Sequence, residues 1–502
     1  MEYTIYLNES TFFILTYIDG QYTINDFGDG VKYNIKVTDY NGELVVSYLD
    51  KPICYINTKE YSEHPVHYYS NHLISSTEVR AVNGYEINKY YGRDTGDQVT
   101  NLVSLRHSND PHPPVSPATD LHTHFIEMLD GKDFISVILQ HIDHLPVDYN
   151  GNLIGRLQDD QGNFVQMEDL ISKVVFSSET EELLKLSREL EVSLIGQREF
   201  MEISIANSKR NNLVTYAAKR LLERDEYSDL TLGKAKAIIY TDLLIKALEV
   251  LKGQGVEYTE ISYSNDSTIS KMLDLVKGKI PEGIRFNILL GADRRKLLKP
   301  GYANETIKNL RRLLKKGEVR GLDLMGEEEP FNGIDLDVNM PTSYAHLMNE
   351  AIPLLNQYPD SVLRLHMGEN PQSVKNPVES LRVIKSVVEN NALVIPPPYI
   401  RLGHAVYFDY ANSIEYLDLL GRLGVTIEIN ASSNYALNNV SRLIDIPYKW
   451  YREHKIPVVL GTDGHGMYRT SPIQEVNIAG GVDPQSPTYV VESEQNKGVI
   501  GR

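Results

Sequence analysis

Apolar and polar residues alternate along the first 115 residues, whereas later apolar runs are followed by helical patterns. The alternation has a period of two in Tyr3–Tyr6 and in Leu44–Tyr48. Such segments are separated by the turn dipeptides Asp19-Gly20, Asp29-Gly30 and Asn41-Gly42. Aromatic and β-branched residues in this pattern are typical of antiparallel hairpins. We therefore predict a β-rich N-terminal module over residues 1–115, with a proline-rich linker at residues 110–117.

From residue 116 onward, short apolar runs alternate with amphipathic helical patterns. The first run ends at His122 and His124, and the pattern from 130 to 252 is helical. That stretch is too long for one crossover, so it predicts a helical insertion after strand 1. Seven further strand candidates follow: Val256–Ser264, Ile284–Leu290, Val319–Leu324, Val362–His366, Ile400–Ala405, Val425–Asn430 and Val458–Thr462. Eight such strands predict an α/β fold, a (β/α)8 TIM-type barrel over residues 116–480, before a polar C-terminal tail at 481–502.

Composition narrows the class of protein. Of 502 residues, 41% are hydrophobic and 24% are charged, which is typical of a soluble globular protein. The net charge of −18 repels phosphate backbones, so no nucleic-acid partner is expected, although local cations could hold a small phosphorylated ligand. The single Cys54 excludes a disulfide framework. The start lacks a secretory pattern and Phe12–Ile18 is too short to span a membrane, so we expect a cytoplasmic protein.

Histidines and carboxylates stand where the predicted strands end. Because the carboxyl ends of barrel strands meet at one mouth, these side chains should converge. His122 and His124 are two residues apart on a strand and therefore face the same side. A divalent-metal site is predicted from four side chains: His122, His124, His366 and Asp463. Glu369 and His404 are then left for proton transfer.

Each segment alone has a simpler explanation. A helix N-terminal glutamate would explain Glu369, and a hydrogen-bonded core histidine would explain His404. A helix cap would explain Asp463. The paired histidines at His141 and His144 show how readily such patterns arise without a role. The order and spacing of the segments along the chain are much more specific than any one of them.

Together these segments resemble the adenosine deaminase family of the metal-dependent amidohydrolases. The resemblance covers roughly residues 116–480. Its motifs are Asp-Leu-His122-Thr-His124, Tyr258–Tyr263, Gly321–Gly326, His366-Met-Gly-Glu369, Arg401-Leu-Gly-His404, Thr426–Asn434 and Gly461-Thr-Asp463-Gly464-His465. It implies a zinc-dependent deaminase that converts adenine to hypoxanthine and releases ammonia.

The resemblance also implies a role for each matched residue. One Zn²⁺ per chain would be held by His122, His124, His366 and Asp463. Asp463 would also accept a hydrogen bond from the attacking water, which His404 would orient as hydroxide. Glu369 would protonate N1 of the purine, and the Gly326 backbone N–H would contact N3. Asn434, in the seventh-strand motif, is a further substrate-binding candidate.

Departures from the family pattern bear on the substrate. The family's acid for the ribose 5′-hydroxyl is replaced by Ile126, with Glu127 next to it. The family's aspartate for N7 is replaced by Gly464, and His465 is a candidate for that task. Losing the first acid removes a group that would repel a 5′-phosphate, so AMP or dAMP is favoured over adenosine or deoxyadenosine. The candidate phosphate-binding residues are Arg469, His465, Arg294 and Arg295.

Two other functions stay open. The first is another single-metal amidohydrolase acting on an amide, lactone or phosphoester. Two-metal relatives carry a bridging lysine at the end of the fourth strand, and here that strand ends Leu324-Met-Gly326. The second is an inactive barrel that serves as a binding or scaffold protein, against which the intact ligand set argues. The role of the N-terminal module, a homo-oligomer formed through it, and antiviral defence are hypotheses that the sequence does not decide.

Overall fold

The structure of the protein is a computed structural model. The residues it describes are 2–6, 12–18, 21–26, 35–40, 43–48, 51–57, 66–69, 77–81, 85–90, 119–147, 152–153, 172–175, 181–192, 199–264, 266–358, 360–393, 399–437, 439–440, 443–483 and 485. The predicted turn dipeptides of the N-terminal region and the proline-rich linker lie outside the described residues. The chain divides into two compact units. The first is Met1–Pro113, Ser193–Glu199 and Tyr435–Asp445, and the second is Pro114–Val192, Phe200–Asn434 and Ile446–Arg502.

The described part of the first unit is rich in β-strands. They are β1 (Glu2–Tyr6), β2 (Phe12–Ile18), β3 (Gln21–Asp26), β4 (Ile35–Tyr40), β5 (Glu43–Tyr48), β6 (Lys51–Asn57), β7 (Val66–Tyr69), β8 (Thr77–Ala81) and β9 (Tyr85–Tyr90). The sheets have the orders β3-β2-β1-β7, β4-β5-β6 and β8-β9. Ile18 lies opposite Gln21 and Tyr40 lies opposite Glu43, so β2 pairs with β3 and β4 pairs with β5 in antiparallel fashion.

The second unit is built on a parallel barrel. Its strands are β10 (Thr119–His124), β11 (His144–Val147), β12 (Ser172–Val175), β13 (Tyr258–Tyr263), β14 (Arg285–Asp293), β15 (Gly321–Met325), β16 (Val362–Met367), β17 (Tyr399–His404), β18 (Thr426–Ile429) and β19 (Val458–Leu460). Eight of them form one sheet in the order β10-β13-β14-β15-β16-β17-β18-β19, and β11 pairs with β12. The predicted (β/α)8 TIM-type barrel is confirmed.

Backbone hydrogen bonds beyond the last strand close the barrel. The Asp463 N–H donates to the His122 carbonyl (2.7 Å), and the His124 N–H donates to the Asp463 carbonyl (2.8 Å). Thr123 and Asp463 form the corresponding parallel bridge. The first and last strands therefore meet at the residues that carry the predicted chemistry.

Helices alternate with the barrel strands. They are α1 (Gly131–Ile138), α2 (Glu181–Arg188), α3 (Glu199–Leu222), α4 (Leu232–Gly253), α5 (Asp266–Val276), α6 (Tyr302–Lys315), α7 (Tyr344–Leu355), α8 (Asn376–Asn390), α9 (Ser413–Leu423), α10 (Ala431–Ala436), α11 (Tyr448–Glu453) and α12 (Pro472–Val482). The first four lie between β10 and β13, which confirms the predicted helical insertion. Side-chain caps set several starts, as where the Thr231 hydroxyl accepts from the Lys234 N–H. Within the described part of the chain, the helices are too short or too polar to cross a membrane.

Side chains of strand β16 alternate between the two faces of the barrel sheet. All six of its residues are buried, as expected for a parallel strand covered by helices. Leu363 and Leu365 share one face, whereas Arg364 and His366 share the other because side chains alternate. Arg364 forms ion pairs with residues of β15 and β18, so its face points into the barrel. His366 consequently lies one layer closer to the mouth than Arg364.

Candidate active site

Four predicted ligand side chains converge at the mouth of the barrel. The Nε2 atoms of His122 and His366 lie 3.1 Å apart, and those of His124 and His366 also lie 3.1 Å apart. Asp463 Oδ1 lies 3.1 Å from His124 Nε2 and 3.4 Å from His122 Nε2. One ligand atom from each of the four residues lies within 4.8 Å of the other three.

The donor chemistry of this cluster fits a bound cation. His122 Nδ1 lies 2.8 Å from Glu428 Oε2, and His366 Nδ1 lies 3.1 Å from Asp323 Oδ1. His366 Nδ1 also lies 3.1 Å from the Leu324 carbonyl oxygen, its hydrogen-bond acceptor. An acceptor on Nδ1 holds the proton there and leaves the Nε2 lone pair facing the cluster. Lone pairs this close repel one another unless a cation lies between them. Three imidazole nitrogens and one carboxylate are a common donor set for a transition-metal ion.

A layer of buried charges supports the cluster from below. Arg364 Nε lies 2.9 Å from Glu428 Oε2, and Arg401 Nη1 lies 3.1 Å from Glu428 Oε1. Burial would raise the pKa of Glu428, but the Arg364 guanidinium and the hydrogen bond from His122 lower that pKa to about 2. Arg401 also binds Glu260, at 2.6 Å. Glu428 is therefore an ionised acceptor that orients His122.

Glu369 and His404 form a second pair beside the cluster. Glu369 Oε1 lies 3.8 Å from His404 Nε2. The Asn434 amide donates to the Asn430 carbonyl (2.8 Å), so Asn434 Oδ1 faces His404 Nδ1 at 3.2 Å. Nδ1 must therefore carry the proton, which leaves Nε2 as a lone pair with no hydrogen-bond partner among the described residues. Burial lowers the pKa of His404 to about 4 and raises that of Glu369, so a neutral imidazole faces a carboxyl group that retains its proton more readily.

The backbone of Glu369 is held in place by Glu328. The Glu328 carboxylate accepts from the Gly368 N–H at 3.0 Å and from the Glu369 N–H at 2.8 Å. Gly368 has a φ of 67°, and a Cβ there would lie 2.1 Å from the Tyr407 carbonyl oxygen. A glycine is therefore needed for this bend. Glu328 therefore positions Glu369. The sequence does not reveal this role, because Glu328 stands in the polar run Gly-Glu-Glu-Glu, which resembles an exposed segment.

Two site residues adopt a strained backbone conformation. His404 and Asp463 both have a φ of 65°, in the left-handed region that residues with a Cβ seldom occupy. Such strain persists only where surrounding contacts impose it, and it is concentrated at functional sites. The two barrel-closing hydrogen bonds impose it on Asp463.

A cavity of about 710 Å³ opens above the cluster. Its floor includes His124, His366 and Asp463, with Glu369 and His404 beside them. Helix α3 contributes polar residues to its wall at helical spacing: Ser204, Asn207, Ser208, Asn211 and Asn212. A volume of this size accommodates a nucleotide-sized ligand.

The predicted substrate-binding residues do not all lie in the described lining of the cavity. Gly326 lines the cavity, whereas Asn434 lies behind His404 and is not among the described lining residues. His465 is buried and also lies outside that lining. The Arg469 Nε–H donates to Glu191 at 2.6 Å, which directs this guanidinium toward the residues that follow α2. Arg469 is not among the described lining residues of the cavity.

Of the two arginines that follow β14, one lies in the described lining of the cavity and the other does not. Arg295 lines the cavity, and its Nη2 lies 3.1 Å from Asp293 Oδ2. Arg294 donates to the His366 carbonyl and is not among the described lining residues. Of the four cationic candidates, Arg295 is therefore the one that the structure brings to the cavity.

Several site residues were not identified from the sequence. The carboxylates behind the ligands, Asp323 and Glu428, lie in segments that the motifs include, but their contacts with His366 and His122 follow only from the barrel register. Asn207 is another, since its amide donates to Glu127 at 2.6 Å. The polar row on α3 carried a usable signal, because its residues recur every three or four positions.

Comparison with known proteins supports the resemblance. No family model matches the chain. The N6-methyl-AMP deaminase of Danio rerio is 26% identical over 243 residues, which are 47% of this chain and 61% of that protein. The N6-methyl-AMP deaminase-L of Xenopus laevis is 25% identical over 266 residues, 50% of this chain and 67% of that protein. The chain thus spans about three fifths of the Danio rerio protein's length.

A solved structure is similar as well. The apo N6-methyl-AMP deaminase of Arabidopsis thaliana has a TM-score of 0.45 and 17% identity, over 76% of this chain and 95% of that one. The sequence similarity confirms the resemblance to the adenosine deaminase family that the motifs indicate.

Proposed function

We propose that this chain, a relative of the adenosine deaminases, is a metal-dependent hydrolase that removes the C6 amino group of an adenine nucleotide. Water adds to C6 through a new C–O bond, the C6–N6 bond breaks, and ammonia leaves with the hypoxanthine product. The observation that carries the proposal is the convergence of four ligand atoms within 4.8 Å of one another, next to Glu369 and His404. Ligand set and proton-transfer pair therefore share one site.

The cation would be held by His122, His124, His366 and Asp463, and we propose Zn²⁺, one per chain. When bound there, Zn²⁺ supplies Lewis-acid activation of a water molecule. His404 accepts a hydrogen bond from that water through its free Nε2, which orients the attacking oxygen. Glu369 delivers its proton to N1 of the purine, because the ring must gain a proton before C6 accepts the oxygen.

An arginine in the cavity lining favours a phosphorylated substrate. AMP and dAMP are therefore proposed ahead of adenosine and deoxyadenosine, with Arg295 as the cation for the phosphate. The relatives named as N6-methyl-AMP deaminases add the N6-methylated nucleotide as a candidate, for which methylamine would leave in place of ammonia. All of these substrates share the adenine ring and the same bond cleavage.

A substrate panel tests the proposal. The full chain, supplied with Zn²⁺, is incubated with adenosine, deoxyadenosine, AMP, dAMP and N6-methyl-AMP while adenine absorbance is followed. We expect turnover of at least one nucleotide, and loss of that turnover in Glu369→Gln. A protein that binds Zn²⁺ at this site but converts none of the five compounds would contradict the proposed deaminase and favour another amidohydrolase or a binding role.

A further inference from the structure

Glu127 is a cavity-lining carboxyl group that the mechanism above does not use. It follows β10 directly, is 6% exposed, and lies in the cavity wall near Asp463. The Asn207 amide donates to Glu127 Oε1 at 2.6 Å. Because Asn207 occupies Oε1, the second oxygen, Oε2, is the one left to meet a ligand.

Gly464 leaves room for this carboxyl group. A Cβ at position 464 would lie 2.5 Å from the Glu127 Cβ and 3.1 Å from Glu127 Oε2. Any residue other than glycine would therefore displace Glu127 from the cavity wall. The Glu127 backbone is fixed from the same loop, since its carbonyl accepts from the Met467 N–H at 2.9 Å. The space beside the ligand Asp463 is thus filled by a glutamate that comes from another strand.

Glu127 and Glu369 stand on opposite sides of the barrel mouth. Glu127 follows the first strand of the eight-stranded order and Glu369 follows the fifth, so they face each other across the ligand cluster. In adenine, C6 is flanked by N1 on one edge and by N7 on the other. If C6 lies at the cluster with N1 toward Glu369, then N7 points toward Glu127.

We infer that Glu127 recognises the N7 edge of the purine, through a hydrogen bond between its carboxyl group and N7. This rests on the proposed function, because it requires an adenine ring at the cluster. N7 accepts a hydrogen bond, and a neutral carboxyl group or a carboxamide can donate one. Glu127 is then a specificity-determining residue, whereas Asn207 is a positioning residue that orients it.

The test compares an adenine nucleotide with its 7-deaza analogue, in which carbon replaces N7. The ratio of kcat/KM for the two compounds is measured in the parent, in Glu127→Ala and in Glu127→Gln. We expect the parent to prefer the natural ring by about tenfold, the typical effect of one hydrogen bond. Glu127→Ala should lower that ratio to about one by slowing only the natural substrate, and Glu127→Gln should retain most of it.

A double variant and a binding measurement distinguish loss of the N7 contact from misfolding. Glu127→Gly combined with Gly464→Asp removes the obstructing Cβ and returns a carboxyl group from the other side, so it should recover the ratio that Glu127→Gly loses. Calorimetric titration with the hypoxanthine nucleotide and its 7-deaza counterpart should show the same pattern in affinity. Melting temperatures identify variants that are merely unstable.

The outcomes separate the two proposals. If the parent turns over an adenine nucleotide but Glu127→Ala leaves the ratio unchanged, the N7 assignment alone is overturned. Equal losses on both rings would point to a sugar contact or a structural role and would also overturn it. If the parent acts on no adenine compound, the proposed function fails and the assignment fails with it.

Discussion

His122 Nε2 lies 3.1 Å from His366 Nε2, although each imidazole has an acceptor at its Nδ1, the Glu428 carboxylate for His122 and the Leu324 carbonyl for His366. Two unprotonated nitrogens in this arrangement are stable only around a positive charge. The same two residues come from the first and fifth barrel strands, so a cation at this point connects opposite walls of the barrel. Metal binding and barrel stability should therefore be coupled.

Removing one ligand should abolish metal binding. We expect about one Zn²⁺ per parent chain and almost none in His122→Ala, measured by elemental analysis after dialysis. Chelation should lower the melting temperature of the parent by several degrees and leave that of the variant unchanged. His141→Ala is a matched control, because His141 pairs with Asp242 at 3.0 Å, away from the cluster. Equal metal content in all three proteins would refute the ligand assignment.

Glu428→Gln should weaken metal binding without removing a ligand. Loss of the carboxylate behind His122 typically reduces metal affinity by about 10–100-fold. It also removes one of the anions around Arg364 and Arg401 while Glu260 and Asp323 remain, which should cost about 1–3 kcal/mol in the free energy of unfolding. Competition with a chelator and urea unfolding measure the two effects. Glu415→Gln, which alters an exposed ion pair with Arg382, should change neither by much.

Glu369→Gln should be folded, metal-loaded and nearly inactive. An amide cannot transfer a proton to the ring, so kcat/KM should fall by about 10²–10⁴-fold. Because burial raises the pKa of Glu369, the protonated, active form should persist to a higher pH than for an exposed glutamate, and activity should decline above it. Glu329→Gln, at an exposed position nearby, serves as the control. Activity within threefold of the parent in Glu369→Gln would remove its assigned role.

Arg295→Ala should distinguish a nucleotide from a nucleoside substrate. If Arg295 binds the phosphate, its loss should raise KM for AMP by about tenfold or more, whereas KM for adenosine should change little. Arg469→Ala provides the comparison, because Arg469 pairs with Glu191 outside the described lining of the cavity. Steady-state kinetics with both substrates give the answer. A selective effect of Arg469→Ala, with none for Arg295→Ala, would reverse the assignment.

The buried Glu475 should make the stability of the barrel depend on pH. Burial raises the pKa of Glu475 to about 7, although the Thr470 hydroxyl and the Ala431 N–H donate to it. Between its ordinary value of 4.5 and about 7, the folded state holds a proton that the unfolded state has lost. Stability therefore falls as the pH rises through this window.

Glu475→Gln cannot ionise and should escape this loss. The free energy of unfolding of the variant, relative to the parent, should rise by about 3 kcal/mol from pH 4.5 to pH 7. The fluorescence of the single tryptophan, Trp450, reports unfolding of the second unit. Glu453→Gln, an exposed carboxylate on α11, should follow the parent. A constant difference between Glu475→Gln and the parent across this range would contradict the expectation.

The sequence was informative about what lies along strands. Apolar runs followed by helical patterns predict the barrel, and the ends of those runs predict that His122, His366 and Asp463 come together. Both follow from the period of a strand and from the geometry of a closed parallel sheet. The functions of these residues stay predictions until metal content and activity are measured.

The sequence was less informative about loops. Whether Arg295 or Arg469 faces the cavity depends on local pairing with Asp293 or Glu191, which no short-range pattern encodes. The close approach of Glu127 and Gly464 brings together two loops that lie 337 residues apart in the sequence. Such contacts are set by tertiary structure and not by periodicity.

Closure of the barrel through Asp463 has a consequence for biosynthesis. The first imidazoles of the cluster leave the ribosome long before this aspartate does, because almost the whole barrel is translated between them. A nascent chain therefore cannot bring the four proposed ligands together until the final strand emerges. Capture of the proposed ion should therefore follow synthesis of the whole barrel.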